Sequence, residues 1–460
     1  MSNQKPNIAL LEKIASRAHY YAMQMIDIAN HKRSPDRTDP KVGGHPAASA
    51  SALHILGALH LWVKGPFDYM AIKPHASPAD HSYNYLLKNL FKHETLDRLS
   101  EEEMTTAMHG LRKFSEHGEP VFQSYHSSWD PDGHNFFPSG SVGIPPVMAA
   151  YLAHACRFAE EHGYHVPKEA HFWALIGDSE FREGSLYEAM PDAAEREIGN
   201  LTWIVDYNRQ SLDGHRITNR EIMNGTDDER LARTALANGW EVIQVRHGRK
   251  RKLAFAKKDG ELFKKLLETG FDDYEFQSLL TTKDHEASVA TFLRIEPRLA
   301  SFMKGLKEGE LQELLLDLGG HDLTEIIEAL EKSKVNKKKP TLIIAHTVKG
   351  WGLDCMAVSG NHSSLPDEDE ILRLQEKQKI PPDNIFARFA SGTEEAKFLK
   401  ERGDFLLAGY KKQFSIRDTN KREFAKILSS RSIKTDFEDI LQAQQRITTP
   451  FVAASRKSSP

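Results

Sequence analysis

The sequence predicts an α/β fold: a doubly wound, mainly parallel sheet with helices on both faces. Two observations carry this. Short apolar runs alternate with helix-period segments, and each run ends in a glycine-containing or polar turn. The chain also has 460 residues, 40% of them hydrophobic and 27% charged, which is enough to bury a large core.

In chain order, "MSNQKPNIALLEKIASRAHYYAMQMIDIA" reads as an amphipathic helix without the apolar core of a signal peptide. "VMAAYLAHACRFAEEHG" follows helical spacing. It puts Val147, Tyr151, Ala155 and Phe158 on one face, with Gly163 just past its end. Four runs read as buried parallel strands: Phe172–Ile176, Leu201–Val205, Trp240–Val245 and Thr341–Ala345. "FREGSLYEAMPDAAEREIG" is the crossover helix between the first two. Residues 248–339 read as a charged helical insertion whose basic runs, "HGRKRK" and "NKKK", suit solvated helix ends. The loop "GLDCMAVSGNHSSLPD" then leads to a helix-rich extension over 366–460 and a polar, disorder-prone tail, "SRKSSP".

Net charge is −4, which recommends neither nucleic acid nor an acidic membrane as partner. Cys156 and Cys355 make neither a disulfide framework nor a metal cluster and fit a reducing compartment. No run is expected to span a membrane, so a cytoplasmic protein is the expectation. Neither GxxxxGK[ST] nor a strand-linked GxGxxG appears, which argues against a generic nucleotide-binding protein.

The run "HFWALIGDSEF" drives six mostly apolar residues into Gly177 and Asp178. Ligands of open α/β sheets bind at the carboxyl ends of strands, and Asp178 sits at such an end. The next strand closes with "IVDYNRQ", placing Asn208 thirty residues later and Gln210 two further on. A carboxylate, an amide oxygen and a backbone carbonyl are hard ligands suited to Mg²⁺ or Ca²⁺, with phosphate oxygens completing the shell. Taken singly, Asp178 and Asn208 also suit a helix cap and a turn. The interval between two strand ends, with a helix between, favours the metal.

"GDSEFREGSLYEAMPDAAEREIGNLTWIVDYNRQSLDG" resembles the thiamine-diphosphate signature of the transketolase and 2-oxoacid dehydrogenase E1 families. The resemblance runs along nearly the whole chain and is strongest to the homodimeric type of pyruvate dehydrogenase E1. Its ordered motifs are "VGGHPAASAS", "KPHASPA", "FPSGSVGIPP", "LGGHDLTEI", "AHTVKGWG" and "FLLAGYKK". It implies a diphosphate-binding (PP-type) domain over 1–365. The cofactor would be thiamine diphosphate with Mg²⁺ or Ca²⁺, the metal held by Asp178, Asn208 and the carbonyl of Gln210.

It further implies Lys349 near the diphosphate, Gly140 and Val142 along the cofactor, and Gly177 and Ser179 at the diphosphate loop. His45 and His75 would lie near the thiazolium, with His362 on a loop over the mouth and Glu183 reaching across a dimer interface. The family activates the pyrimidine ring from a second, Pyr-type domain, which would begin near "TTPFVAASRK". The expectation is therefore half of a split enzyme, a homodimer within a heteromer whose separate partner chain supplies that domain. It would form or transfer a carbanion equivalent from a small-molecule 2-oxo acid or ketose phosphate.

Several positions depart from the E1 pattern: Ser179 for glycine, Ala48 for serine, Lys73 for glutamine and Asp206 for asparagine. The segment before "GGHP" is also shorter. Ser179 and Ala48 motivate the competing expectation of a non-catalytic cofactor-binding or scaffold homologue.

Overall fold

The structure, a computed structural model, describes residues 5–32, 44–113, 115, 118–123, 125–133, 139–212, 214–215, 219–282 and 284–430. The "TTPFVAASRK" segment and the polar tail lie outside the described residues. The chain divides into two compact units, Met1–Lys412 and Gln413–Pro460. The described part of the second, 413–430, is helical and exposes Phe424, Ile427 and Leu428.

Strands in the first unit are β1 (Tyr69–Ile72), β2 (Phe172–Gly177), β3 (Leu201–Tyr207), a small pair β4 (Gln210–Ser211) and β5 (Gly214–His215), β6 (Glu241–Val245) and β7 (Thr341–His346). The main sheet has the order β1-β2-β3-β7-β6, and every pair in it is parallel. The four expected strands are present. The fifth, β1, escaped because "YMAI" is a four-residue edge strand, too short to show a period.

The six helices that frame the sheet's first half are α1 (Ile8–Asp27), α2 (Pro46–Ala58), α3 (Ser77–Leu86), α4 (Glu101–His109), α5 (Ile144–Glu161) and α6 (Gly184–Glu195). The crossover helix α6 joins β2 to β3 as expected. Two helices turn out differently. Every residue of α1 from Arg17 to Asp27 is buried, so its second half is a core element. On α5, Ala149, Ala150 and Ala153 are buried, whereas Tyr151 is 47% and Phe158 54% exposed. Small residues let α5 lie close to the sheet; Val147 packs against the core while Tyr151 and Phe158 face out.

Pro46–Val63 is long and apolar enough by composition to cross a membrane, but 83% of it is buried inside the fold, as a core helix is. One further expectation is corrected. The basic run after His247 is not wholly solvated. Arg251 is buried and donates to the carbonyls of Leu314 and Leu315 at 2.6 and 2.7 Å. It thereby ties the start of the helical insertion to a helix sixty residues on. The insertion has its own apolar cluster, built around Phe263, Phe292, Phe302 and Leu315.

Candidate active site

Register brings the two strand tips together. Gly177 pairs with Asp206 across β2 and β3, so Asp178 leaves its strand beside Tyr207 and Asn208. The contact is made by backbone amides. Arg209 N–H donates to Asp178 Oδ2 at 2.7 Å, and Ser179 N–H donates to Asp178 Oδ1 at 2.7 Å. Arg209 has φ +62, a left-handed conformation that turns the chain out of β3 and offers its N–H to the carboxylate. Asn208 Oδ1 accepts from the Gln210 N–H at 3.1 Å, and its amide nitrogen donates to Ser51 Oγ at 3.2 Å. Both amide atoms are thus assigned.

Behind the tips lies a buried ion pair that the sequence departures concealed. Lys73 Nζ bonds to Asp206 Oδ2, and neither side chain is appreciably exposed. Asp206 also accepts from Ser51 Oγ at 2.8 Å and from the Thr347 hydroxyl. Lys73 and Asp206, both departures from the E1 pattern, pair with each other, and Ser51 links that pair to Asn208. A charged residue inside the otherwise apolar "LTWIVDY" was the available signal, since a buried carboxylate needs a partner.

A second anchor joins the small-residue loop to the β2 tip. Buried Glu180 accepts from Gly143 N–H at 2.8 Å and from Gly177 N–H at 2.9 Å. Burial pushes its carboxyl above the usual range, opposed by those two amides. Gly143 has φ +80, and a Cβ there would lie 2.6 Å from the Cβ of Glu183, so only glycine fits. Ser179 has φ −73 and ψ −35. Its backbone is ordinary for an L-residue, so the serine in place of glycine is accommodated without strain.

Three imidazoles meet at the cavity. Ring centroids are 3.9 Å apart for His45 and His75, 4.8 Å for His45 and His362, and 5.0 Å for His75 and His362. They arrive from the residue before α2, the turn before α3, and the turn Asn361–Ser363. His45 has φ +53, a strained conformation for a non-glycine residue. Burial pushes His75 down to about 2 and His45 and His362 to about 4, and neighbouring imidazoles and lysines add to the effect. All three are therefore neutral at pH 7. Lys349 Nζ donates to the Ser211 carbonyl at 3.1 Å and lies 3.4 Å from His362 Nδ1. Burial lowers its ammonium to about 8, with Lys73 adding and Asp178 opposing.

The cavity enclosed by these groups has a volume of about 400 Å³. Its walls include Lys73, His75, Val142, Gly177, Asp178, Ser179, Glu183, Asn208, Gln210, Lys349 and His362. His45 sits one ring behind, against His75. Gly140 does not line it; the residue is exposed, with nothing within 4 Å of where a Cβ would stand. Glu183 is exposed at the rim.

The profile of the family described as "Transketolase, thiamine diphosphate binding domain" matches residues 141–258 and 311–435, just over half of the chain. The chain belongs to the transketolase family.

Within that family, the pyruvate dehydrogenase E1 component of Corynebacterium glutamicum is 28% identical over 397 residues, 80% of this chain and 40% of that protein. The Escherichia coli K12 counterpart is 25% identical over 468 residues, 98% of this chain and 48% of that protein. The chain thus spans less than half the length of these curated relatives. A Campylobacter jejuni transketolase structure superposes with a TM-score of 0.56 at 19% identity, covering 95% of this chain and 52% of that one. A Pichia stipitis transketolase mutant gives 0.56 at 17%, covering 91% and 47%. These structures share the fold.

Thiamine diphosphate with a divalent ion such as Mg²⁺ or Ca²⁺ is the transketolase-family cofactor, and the site fits it on its own terms. Ser179 Oγ and Gln210 Oε1 are buried without a hydrogen-bond partner, and both residues line the cavity. The donor set pairs hard oxygens from Asp178 and Asn208 with the cation of Lys349, as a metal–diphosphate requires.

Proposed function

We propose that this chain is the diphosphate-binding half of a thiamine-diphosphate enzyme, transketolase-like or 2-oxoacid dehydrogenase E1-like. It acts on a ketose phosphate or 2-oxo acid and forms or transfers its carbanion equivalent. The observation that carries this is the meeting of Asp178, Asn208 and Lys349 at parallel strand ends beside three neutral histidines.

Asp178, Asn208 and the Gln210 carbonyl would hold the metal, with Lys349 and the Gly177–Ser179 backbone on the diphosphate and Val142 along the cofactor. Bound there, the cofactor supplies the electron sink for cleavage next to a carbonyl. His75 and His45 accept and return protons at the reacting carbonyl, which their neutral state permits. His362, at the mouth, hydrogen-bonds substrate oxygens. The buried Lys73–Asp206 pair holds the floor of the channel in place.

A separate chain carrying the Pyr-type domain completes the site, in an assembly that also pairs two copies of this chain. The outward apolar residues support such burial: Val142, Ile144, Tyr151 and Phe158 surround and extend the cavity rim along α5, and Leu212 is 65% exposed. Glu183 stands at that rim, placed to reach a partner site. Free Cys156 and Cys355 suit the reducing cytoplasm.

The test is reconstitution with the candidate Pyr chain and a screen of 2-oxo acids and ketose phosphates. Turnover by the pair, with none from either chain alone, is expected, together with self-association in size measurements. A chain that stays monomeric with its partner and binds no cofactor would contradict the proposal.

A further inference from the structure

A second polar cluster lies under the loop that carries the cavity's small residues, and the thiamine-diphosphate reading makes no use of it. One carboxylate oxygen of Asp80 and one ring nitrogen from each of His81 and His126 lie within 4.8 Å of one another. Their side chains are 0–1% exposed. Zinc ligands sit about 2.0–2.1 Å from the ion, so donors sharing a tetrahedral site stand roughly 3.3 Å apart. His126 Nε2 and Asp80 Oδ2 are 3.1 Å apart.

The surroundings are those of a metal site. His81 Nδ1 bonds to Asp132 Oδ2 at 2.8 Å, while His81 Nε2 is buried without a partner. His126 Nδ1 meets Ser139 Oγ at 3.2 Å, and His60 Nε2 holds the other Asp80 oxygen at 2.5 Å. Asp132 fixes the His81 ring and Ser139 the His126 ring, and partners of this kind orient a ligand imidazole and raise its basicity. Asp132 Oδ1 is likewise buried without a hydrogen bond. A divalent cation would offset the charge that Asp80 and Asp132 bury here.

We propose that Asp80, His81 and His126 bind a structural Zn²⁺ that ties α3 to the loop running through Ser139 toward the cavity. Imidazole and carboxylate favour zinc over Mg²⁺ or Ca²⁺. Two adjacent α3 residues supply two of the three ligands and His126, bonded to Ser139, supplies the third, so the ion would set the distance between His75, just before α3, and Gly143.

The measurement is zinc content of the full-length chain, purified without a metal-binding tag and dialysed against metal-free buffer. About one zinc per chain is expected by mass spectrometry. His81→Ala should lose it, and the double variant His75→Ala/His362→Ala should keep it, which excludes the cavity histidines as the source. Where His81→Ala does not fold, Asp132→Asn gives the same answer through a zinc affinity about 10–100-fold weaker in chelator competition. Zinc added to stripped wild-type chain should raise its melting temperature by several degrees. A stripped chain whose melting ignores ZnCl₂, or zinc that survives His81→Ala and leaves with the cavity histidines, overturns the proposal.

Discussion

The anchoring wall of the cavity and its histidine wall are built by opposite means. Asp178 and Asn208 leave adjacent strands in register, and backbone amides grip their oxygens. His45, His75 and His362 come from three separate turns, and ring-to-ring packing is what brings them together. Strand register fixes the first set to within the precision of the sheet. Loop geometry fixes the second, at the cost of a left-handed His45. On the proposed reading, cofactor binding and proton handling therefore rest on separable parts of the fold.

The largest expected effect tests what joins the walls. Lys73 precedes the His75 turn and Asp206 lies on β3, so their buried pair connects both sides. Lys73→Met leaves Asp206 buried and uncompensated, and should cost about 3–5 kcal/mol in denaturant unfolding. A loss below about 1 kcal/mol would mean water reaches the pair.

Next comes the anchor alone. Asp178→Ala should weaken Mg²⁺-dependent thiamine diphosphate binding by ~100-fold or more in calorimetric titration, and a chelator should do the same to the native chain. Binding that persists after either change would break the assignment of the metal to the strand tips.

The histidine wall should respond in the other direction. His362→Ala should leave the cofactor Kd within about threefold while lowering kcat of the reconstituted enzyme about 100-fold. Equal losses in both would show that the two walls are not separable.

Smaller effects come from pH. A histidine at its usual 6.5 takes up a proton in the unfolded chain while His75, at about 2, and His45 and His362, at about 4, stay neutral in the fold. The unfolded state then binds more protons, so stability falls as pH drops from 6.5 toward 4 and is unaffected by these groups above that window. His75→Gln should flatten this acid limb in melting curves. Lys349 gives the opposite limb: its charge is lost as pH rises through about 8, so diphosphate affinity should decline there.

Much of the anchoring wall was legible from sequence because register in a parallel sheet converts a thirty-residue interval into adjacency. Asp178 and Asn208 needed only strand ends, whereas Lys349 came from the motif resemblance. Other features depended on tertiary context. Lys73 and Asp206 each looked like a departure until their pairing was visible. Helical spacing placed Tyr151 and Phe158 on one face of α5 without saying which way it turns; Ala149, Ala150 and Ala153 allow close approach to the sheet, and the bulkier Tyr151 and Phe158 turn away. Gly140 was expected along the cofactor and stands outside the cavity wall. The left-handed turn at Arg209 carries no residue-type signal, since arginine seldom adopts it.

The most direct test is a crystal grown with thiamine diphosphate and Mn²⁺, with the ion located by anomalous scattering. The predicted peak lies ~2.2 Å from Asp178, Asn208 and the Gln210 carbonyl. A peak instead among His45, His75 and His362, whose nitrogens also lie within 4.8 Å of one another, would contradict the account.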